Sequence, residues 1–271
     1  MKETKSPEEV REILDNTVWS YTRVKAYDTC PKMFYDTYIL KKPKKDNAFS
    51  EYGSFVHMLL EKYYSGSLDA EQMQTEYRNL FSMFVQSDFP EMKTDLRQTY
   101  YRDGDSYFDP FIDPFVGYKV LGVELKMQME VCGRPFVGYI DLLMKKGDEL
   151  FIVDHKSRKR FKSKSELDEY ARQLYLYANY VVDRFGKFPK SMFFNTFRAC
   201  DVIEVPFQKE DYEEAMSWFS STIDRIYTDS KWYDKIFLEY KKAGKKLSEY
   251  KKNDFFCTEL CSVGNGCRRS R

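Results

Sequence analysis

The segment Gly138-Tyr139-Ile140-Asp141 decides how we interpret this chain, together with Ile152-Val153-Asp154-His155-Lys156 downstream. Both are short apolar runs typical of β-strands, in which side chains alternate between two faces. The alternation predicts that Asp154 and Lys156 share one face, while His155 lies on the other. Carboxylates on neighbouring strands form a pocket of hard oxygen ligands for Mg²⁺ or Mn²⁺, and the lysine can reach a phosphate or an attacking water. The pattern favours hydrolysis of a phosphodiester backbone.

A predicted helix follows these strands and carries two further polar residues. Ser165, with Asp168 three residues later, resembles a capping box and would begin a helix that runs to about Phe185. Gln173 and Tyr177 are four residues apart, so they share one face of that helix. Taken alone, they could be interior polar residues of an amphipathic helix.

The order Gly-x-x-Asp, Asp-x-Lys, Gln-x-x-x-Tyr resembles the PD-(D/E)XK nuclease superfamily, in its branch of RecB-like and AddB-like nucleases. The resemblance extends upstream to Ser20-Tyr-Thr-Arg-Val-x-x-Tyr27 and to Gly53-Ser-Phe-Val-His57, and covers about residues 19 to 267. It implies an α/β fold with a restriction-endonuclease-like core, in which helices flank a mixed central sheet. An N-terminal helical part and a C-terminal cysteine cluster would complete the fold.

The resemblance also implies roles for the residues of these motifs. The metal ligands would be His57, Asp141, Asp154 and the backbone carbonyl of His155. Lys156 would act on the scissile phosphate together with both aspartates, and Gln173 and Tyr177 would hold DNA or orient the lysine.

Glu124 precedes this core on a strand with regular alternation. Apolar residues occupy one face of that strand, and Glu124, Lys126, Gln128 and Glu130 occupy the other. The family often carries a glutamate before its Gly-x-x-Asp strand, so Glu124 could support the metal site. A plain surface glutamate is the alternative, and the sequence leaves both open.

Six cysteines without any secretory context indicate metal ligation rather than a disulfide framework. Cys257, Cys261 and Cys267, with the distant Cys30, resemble the split iron–sulfur cluster of AddB-type and small CRISPR-associated nucleases. The first spacing, Cys257-x₃-Cys261, is one residue longer than the family usually shows. Four thiolates suit Zn²⁺ as well as a [4Fe–4S] cluster, so zinc is the alternative cofactor. Cys132 and Cys200 are expected to be core thiols.

Basic residues cluster next to the predicted catalytic lysine, although the net charge is only +1. Arg158, Lys159 and Arg160 follow Lys156, where a phosphate backbone would have to lie, and are predicted to contact nucleic acid. A solvated loop is the alternative for this segment.

Length and composition predict a single domain over residues 1–271, since 42% hydrophobic and 17% aromatic residues can build a large core. It would comprise an N-terminal helical part over about 19–118, a catalytic core over 119–206 and C-terminal helices with the cysteine segment over 207–271. Residues 87–114, rich in Asp, Pro and Gly, are predicted to be an irregular insertion. No run of eighteen apolar residues occurs, and the N-terminus lacks the apolar part of a signal peptide. We expect a cytoplasmic protein, in the host cytoplasm if it is phage-encoded, with no membrane partner.

The resemblance implies a metal-dependent DNA exonuclease that acts on DNA ends or single strands in recombination, repair, phage or CRISPR-related DNA processing. Two alternatives remain: an end-processing subunit of a larger integration or recombination complex, and a nuclease for structured flaps or RNA. The chain has no Gly-x₄-Gly-Lys-[Ser/Thr] loop, so unwinding would need a helicase partner. An integrase-type partner would fit the first alternative.

Overall fold

The computed structural model describes residues 5–229 and 255–263. A five-stranded sheet has the order β1-β2-β3-β4-β5. Its strands are β1 (Lys119–Val131), β2 (Arg134–Lys146), β3 (Glu149–His155), β4 (Ser191–Thr196) and β5 (Asp201–Pro206). Strands β3 and β4 are parallel, whereas β2–β3 and β4–β5 are antiparallel. The predicted α/β fold with a mixed sheet is confirmed.

Eight α-helices accompany the sheet within the described residues. They are α1 (Pro7–Asp15), α2 (Tyr21–Thr29), α3 (Pro31–Phe34), α4 (Ala48–Tyr64), α5 (Ala70–Phe84), α6 (Leu96–Phe108), α7 (Lys164–Phe185) and α8 (Lys209–Thr228). Two π-helical turns cover Tyr35–Ile39 and Phe256–Leu260, and a 3₁₀ turn covers Phe197–Ala199. Within the described ranges, no helix has both the length and the apolar character needed to cross a membrane.

Helix α6 corrects the prediction of an irregular insertion over 87–114. The side chain of Asp95 caps this helix by accepting a hydrogen bond from the backbone of Gln98 (2.9 Å). Gly104, which suggested a loop, lies inside the helix, and a Cβ there would collide with the hydroxyl of Tyr77. Glycine therefore allows α6 to pack closely against α5, which favours a helix despite the turn-rich composition.

Helix α7 begins two residues earlier than the sequence suggested. Ser163, rather than Ser165, is the cap, because its hydroxyl accepts a hydrogen bond from the backbone of Glu166 (3.1 Å). Both serines offer the same cap chemistry, and periodicity alone does not choose between them.

The chain divides into two compact units. The larger unit comprises 48–131 and 137–216; the described residues of the smaller one are 5–47, 132–136, 217–229 and 255–263. Inside the larger unit, an aromatic-rich core joins α4, α5 and α6, and a second cluster covers one face of β2, β3 and β4. The single domain over 1–271 stays a prediction, and residues 230–254 and 264–271 of the predicted C-terminal part lie outside the described residues.

Candidate active site

Two carboxylates meet where β2 and β3 run side by side. The register pairs Leu142 with Val153, so Asp141 and Asp154 occupy the next facing positions. Asp141 accepts a hydrogen bond from the backbone nitrogen of His155 (2.7 Å). The side chains of Asp141 and Asp154 are 12% and 4% exposed. The strand register therefore gathers two nearly buried carboxylates on one face of the sheet.

His57 of α4 and Glu124 of β1 complete a cluster around Asp141. The Nδ1 atom of His57 lies 3.5 Å from Oδ2 of Asp141 and 4.0 Å from Oε1 of Glu124. One potential ligand atom from each of the three residues falls within 4.8 Å of the others. Two carboxylates and one imidazole suit a divalent cation such as Mg²⁺ or Mn²⁺. The residues present therefore fit the metal that the sequence implies.

The charges of this cluster also favour a bound cation. Burial and the neighbouring Asp154 raise the pKa of Asp141. Burial would lower the pKa of His57, but Asp141, Glu124 and Asp154 together raise it to about 9. The imidazolium is thus the cation that the carboxylates hold at neutral pH, and a metal ion would take over that charge.

The ring of His155 faces away from the carboxylates, as predicted. It is buried, stacks on Tyr64 and meets the amide of Asn195 at Nδ1 (3.0 Å). Burial, with the positive charges of His57 and Lys156, lowers its pKa well below the usual value, so the ring is neutral. Its carbonyl oxygen lies 2.7 Å from Nε2 of His57. The carbonyl is thus beside the cluster, and its role as a metal ligand stays a prediction.

Glu124 reaches the cluster because its strand departs from regular geometry. Its φ of 44° lies in the left-handed region, which side chains other than glycine seldom adopt. Lys126, Gln128 and Glu130 beyond it are exposed as alternation predicts, whereas Glu124 is partly buried. The sequence left Glu124 between the metal site and the surface, and the structure places it at the metal site.

A line of polar contacts positions Lys156 on the same face. Its ammonium lies 2.6 Å from Oδ2 of Asp154, off the direction that a hydrogen bond requires, so this contact is ionic. The ammonium donates to Oε1 of Gln173 (3.2 Å), whose amide donates to the hydroxyl of Tyr177 (3.0 Å). Burial raises the pKa of Tyr177, so its hydroxyl stays protonated. The predicted helix face thus contacts the lysine through Gln173.

Aromatic rings that lie outside the sequence motifs surround the same lysine. The ammonium of Lys156 lies 5.7 Å from the ring centre of Tyr170 and 5.9 Å from that of Phe194. The guanidinium of Arg158 lies 4.3 Å from the centre of Tyr170 and 4.5 Å from that of Phe161. Tyr170 precedes Gln173 by three residues on α7, and this helical spacing is the signal that could have identified it.

The three basic residues after the catalytic segment have different surroundings. Arg158 pairs with Glu166 (2.9 Å), and Lys159 pairs with Asp103 (2.8 Å). Arg160 is exposed. Their contact with nucleic acid stays a prediction. Because Arg158 and Lys159 are in ion pairs, we expect the three residues to contribute differently to that contact.

The predicted cluster cysteines lie in the smaller unit, apart from Cys267, which is outside the described residues. Cys30 lies between α2 and α3, and Cys257 and Cys261 lie at the π-helical turn near the C-terminus. All three are partly buried. Cys132 and Cys200 are exposed, so the expectation of core thiols is wrong for them. Both have positive φ, at 51° and 52°, in the turn before β2 and the turn before β5, and such turns lie at the surface.

Comparison with known proteins agrees with this geometry. No curated protein matches the chain. The family model of the PD-(D/E)XK nuclease superfamily matches residues 18–268, which include every element of the site. The match covers most of the chain, so the chain belongs to the PD-(D/E)XK nuclease superfamily.

Proposed function

We propose that the chain is a metal-dependent DNA exonuclease of the RecB-like and AddB-like branch. One observation carries the proposal: His57, Glu124 and Asp141 form a compact ligand cluster next to Asp154 and Lys156. The superfamily match supports nucleic-acid cleavage. DNA, in the form of ends or single strands, is the substrate that the resemblance to this branch favours.

Each residue of the site has a role in hydrolysis. His57, Glu124, Asp141 and Asp154 would hold Mg²⁺ or Mn²⁺, which would polarise a phosphate oxygen and lower the pKa of water. The carbonyl of His155, which the sequence predicts as a further ligand, lies at Nε2 of His57 and would orient that ring. Lys156 orients the attacking water and offsets the negative charge that develops on the scissile phosphate. Gln173 keeps the ammonium of Lys156 in place, and Tyr177 fixes the amide of Gln173. The products would be a 5′-phosphate and a 3′-hydroxyl.

The decisive experiment compares substrates with and without ends. Purified protein with Mn²⁺ receives end-labelled single-stranded DNA, double-stranded DNA, closed circular single strands and RNA of equal length. An exonuclease degrades linear DNA and spares the circle, whereas cut circles would indicate an endonuclease. Preferred cleavage of RNA or of flaps would replace DNA ends as the substrate.

Lys156→Ala should abolish cleavage in the same assay while DNA binding survives, since Lys156 acts on the transition state. Lys190→Ala is a matched control, because Lys190 is an exposed lysine just before β4. Cleavage by Lys156→Ala at the wild-type rate would contradict the site assignment. If all variants bind DNA and none cleaves it, including the wild type, the end-processing subunit with an integrase-type or helicase partner becomes the better proposal.

We further propose that Cys30, Cys257, Cys261 and Cys267 bind a [4Fe–4S] cluster. The partial burial of the three described cysteines, all within the smaller unit, supports the proposal. Protein purified without oxygen should be brown, with about four iron and four sulfide per chain. Cys30→Ser should lose the iron, whereas Cys132→Ser, the matched control, should keep it. Colourless protein with one zinc would replace the cluster with a zinc site.

A further inference from the structure

Tyr139 is an exposed aromatic residue inside the catalytic strand. It precedes Asp141 by two residues on β2, so both side chains point to the same face, about 7 Å apart. Tyr139 is 49% exposed. Within the part of the chain that the structure describes, its ring makes no hydrogen bond and no ring contact. An isolated exposed aromatic residue is ordinary on a protein surface, so its position relative to the site matters.

The face of β2 that carries Tyr139 opens progressively towards this residue. Leu143 on that face is 1% exposed, Asp141 is 12% exposed, and Tyr139 is about half exposed. The backbone of Tyr139 is hydrogen-bonded to Tyr177, the helix residue that also contacts Gln173. The backbone of Tyr139 is therefore held beside the site, and its ring lies at the open end of the catalytic face.

We propose that Tyr139 binds an unpaired base of the nucleotide next to the scissile phosphate by stacking. The proposal rests on the proposed nuclease function and specifies its substrate class. Every base offers a flat π-face, so stacking on an aromatic side chain tolerates any sequence. A base inside an intact duplex already stacks on its neighbours and pairs with the other strand. The site would therefore take single strands and frayed ends, and would exclude the interior of duplex DNA.

A binding measurement tests this subsite without cleavage. A set of single strands carries the fluorescent base 2-aminopurine at successive positions, and each is mixed with protein in EDTA. One position should be quenched by the wild type and by Tyr139→Phe, but not by Tyr139→Leu, which keeps an apolar side chain and lacks the ring. Phe185→Ala is the control, because Phe185 is an aromatic residue of similar exposure (41%) at the end of α7.

Cleavage kinetics add a second readout. Tyr139→Leu should raise KM for single strands about tenfold, which is a typical effect of losing one stacked base. With an abasic nucleotide at the quenched position, the wild type and Tyr139→Leu should have equal KM. A Tyr139→Leu protein that quenches and cleaves like the wild type overturns the subsite while the nuclease function stands. Quenching by a wild type that does not cleave supports the subsite and overturns only the nuclease function. Absence of DNA binding by the wild type overturns both.

Discussion

The Nε2 atom of His57 lies 2.7 Å from the carbonyl oxygen of His155. A carbonyl only accepts hydrogen bonds, so Nε2 carries a proton, and Nδ1 is the nitrogen that faces Asp141 at 3.5 Å. Histidines that bind metals usually donate their second N–H to a carbonyl or a carboxylate, which fixes the ring. The carbonyl of His155 thus orients His57 for metal binding through Nδ1.

Glu124→Gln should raise the Mn²⁺ concentration needed for half-maximal activity by about tenfold, the lower end for losing a group that supports a metal site. The amide keeps the size of the side chain and removes its charge. Glu130→Gln is the matched control, because Glu130 is an exposed glutamate on the same strand. Equal metal titrations for Glu124→Gln and wild type would make Glu124 a surface residue.

Tyr170→Leu should lower kcat several-fold and leave KM close to the wild-type value. The ring of Tyr170 contacts the cations of both Lys156 and Arg158, and such contacts contribute roughly 0.5–2 kcal/mol. Tyr170→Phe keeps the ring and should retain activity, which separates the ring from the hydroxyl. Steady-state kinetics check this prediction, and a rise in KM alone would instead indicate a role in binding substrate.

Salt dependence should distinguish the three basic residues after Lys156. Arg160 is exposed, so Arg160→Ala should reduce the slope of log K against log salt by about 0.7 for single strands, as expected for one lost phosphate contact. Arg158→Ala should lower the melting temperature more, because Arg158 pairs with Glu166 and contacts two rings. Lys159 pairs with Asp103, so Lys159→Ala should change the slope least. Equal slopes for Arg160→Ala and wild type would indicate a solvated loop.

Glu51→Gln should lower the free energy of unfolding by roughly 1–2 kcal/mol at neutral pH. The carboxylate accepts hydrogen bonds from the backbone of Gln86 (2.9 Å) and Ser87 (2.7 Å) and from the Ser87 hydroxyl (2.5 Å). Burial alone would raise the pKa of Glu51, but these bonds outweigh it and lower the pKa.

The direction of this shift sets the pH dependence. A folded-state pKa below the unfolded value stabilises the protein above the unfolded pKa, and this contribution is lost as pH falls through the folded one. The difference between wild type and Glu51→Gln should therefore shrink below about pH 4. Chemical denaturation at several pH values measures the free energy of unfolding of both proteins. A difference between them that is independent of pH would contradict the proposed charge effect.

The sequence predicts those parts of the site that regular geometry controls. Period two on β3 and the hairpin register bring Asp141 opposite Asp154, and helical spacing places Gln173 and Tyr177 together. Alternation does not assign a role to Glu124, because the backbone there departs from strand geometry. Local sequence does not predict helix α6, because Gly104 indicates a turn, whereas its place in a helix comes from the close approach of Tyr77. Such tertiary contacts override local preference.

The left-handed backbone of Glu124 is unfavourable for folding, although the side chain at this position serves the metal site. A side chain in this region costs about 1 kcal/mol in steric conflict, and glycine avoids that conflict at the expense of a more disordered unfolded chain. For the sheet alone, glycine would serve about as well at position 124. A Glu124→Gly protein could therefore fold normally and still lack the third ligand of the cluster, so screens for stability would accept a substitution that disables the metal site.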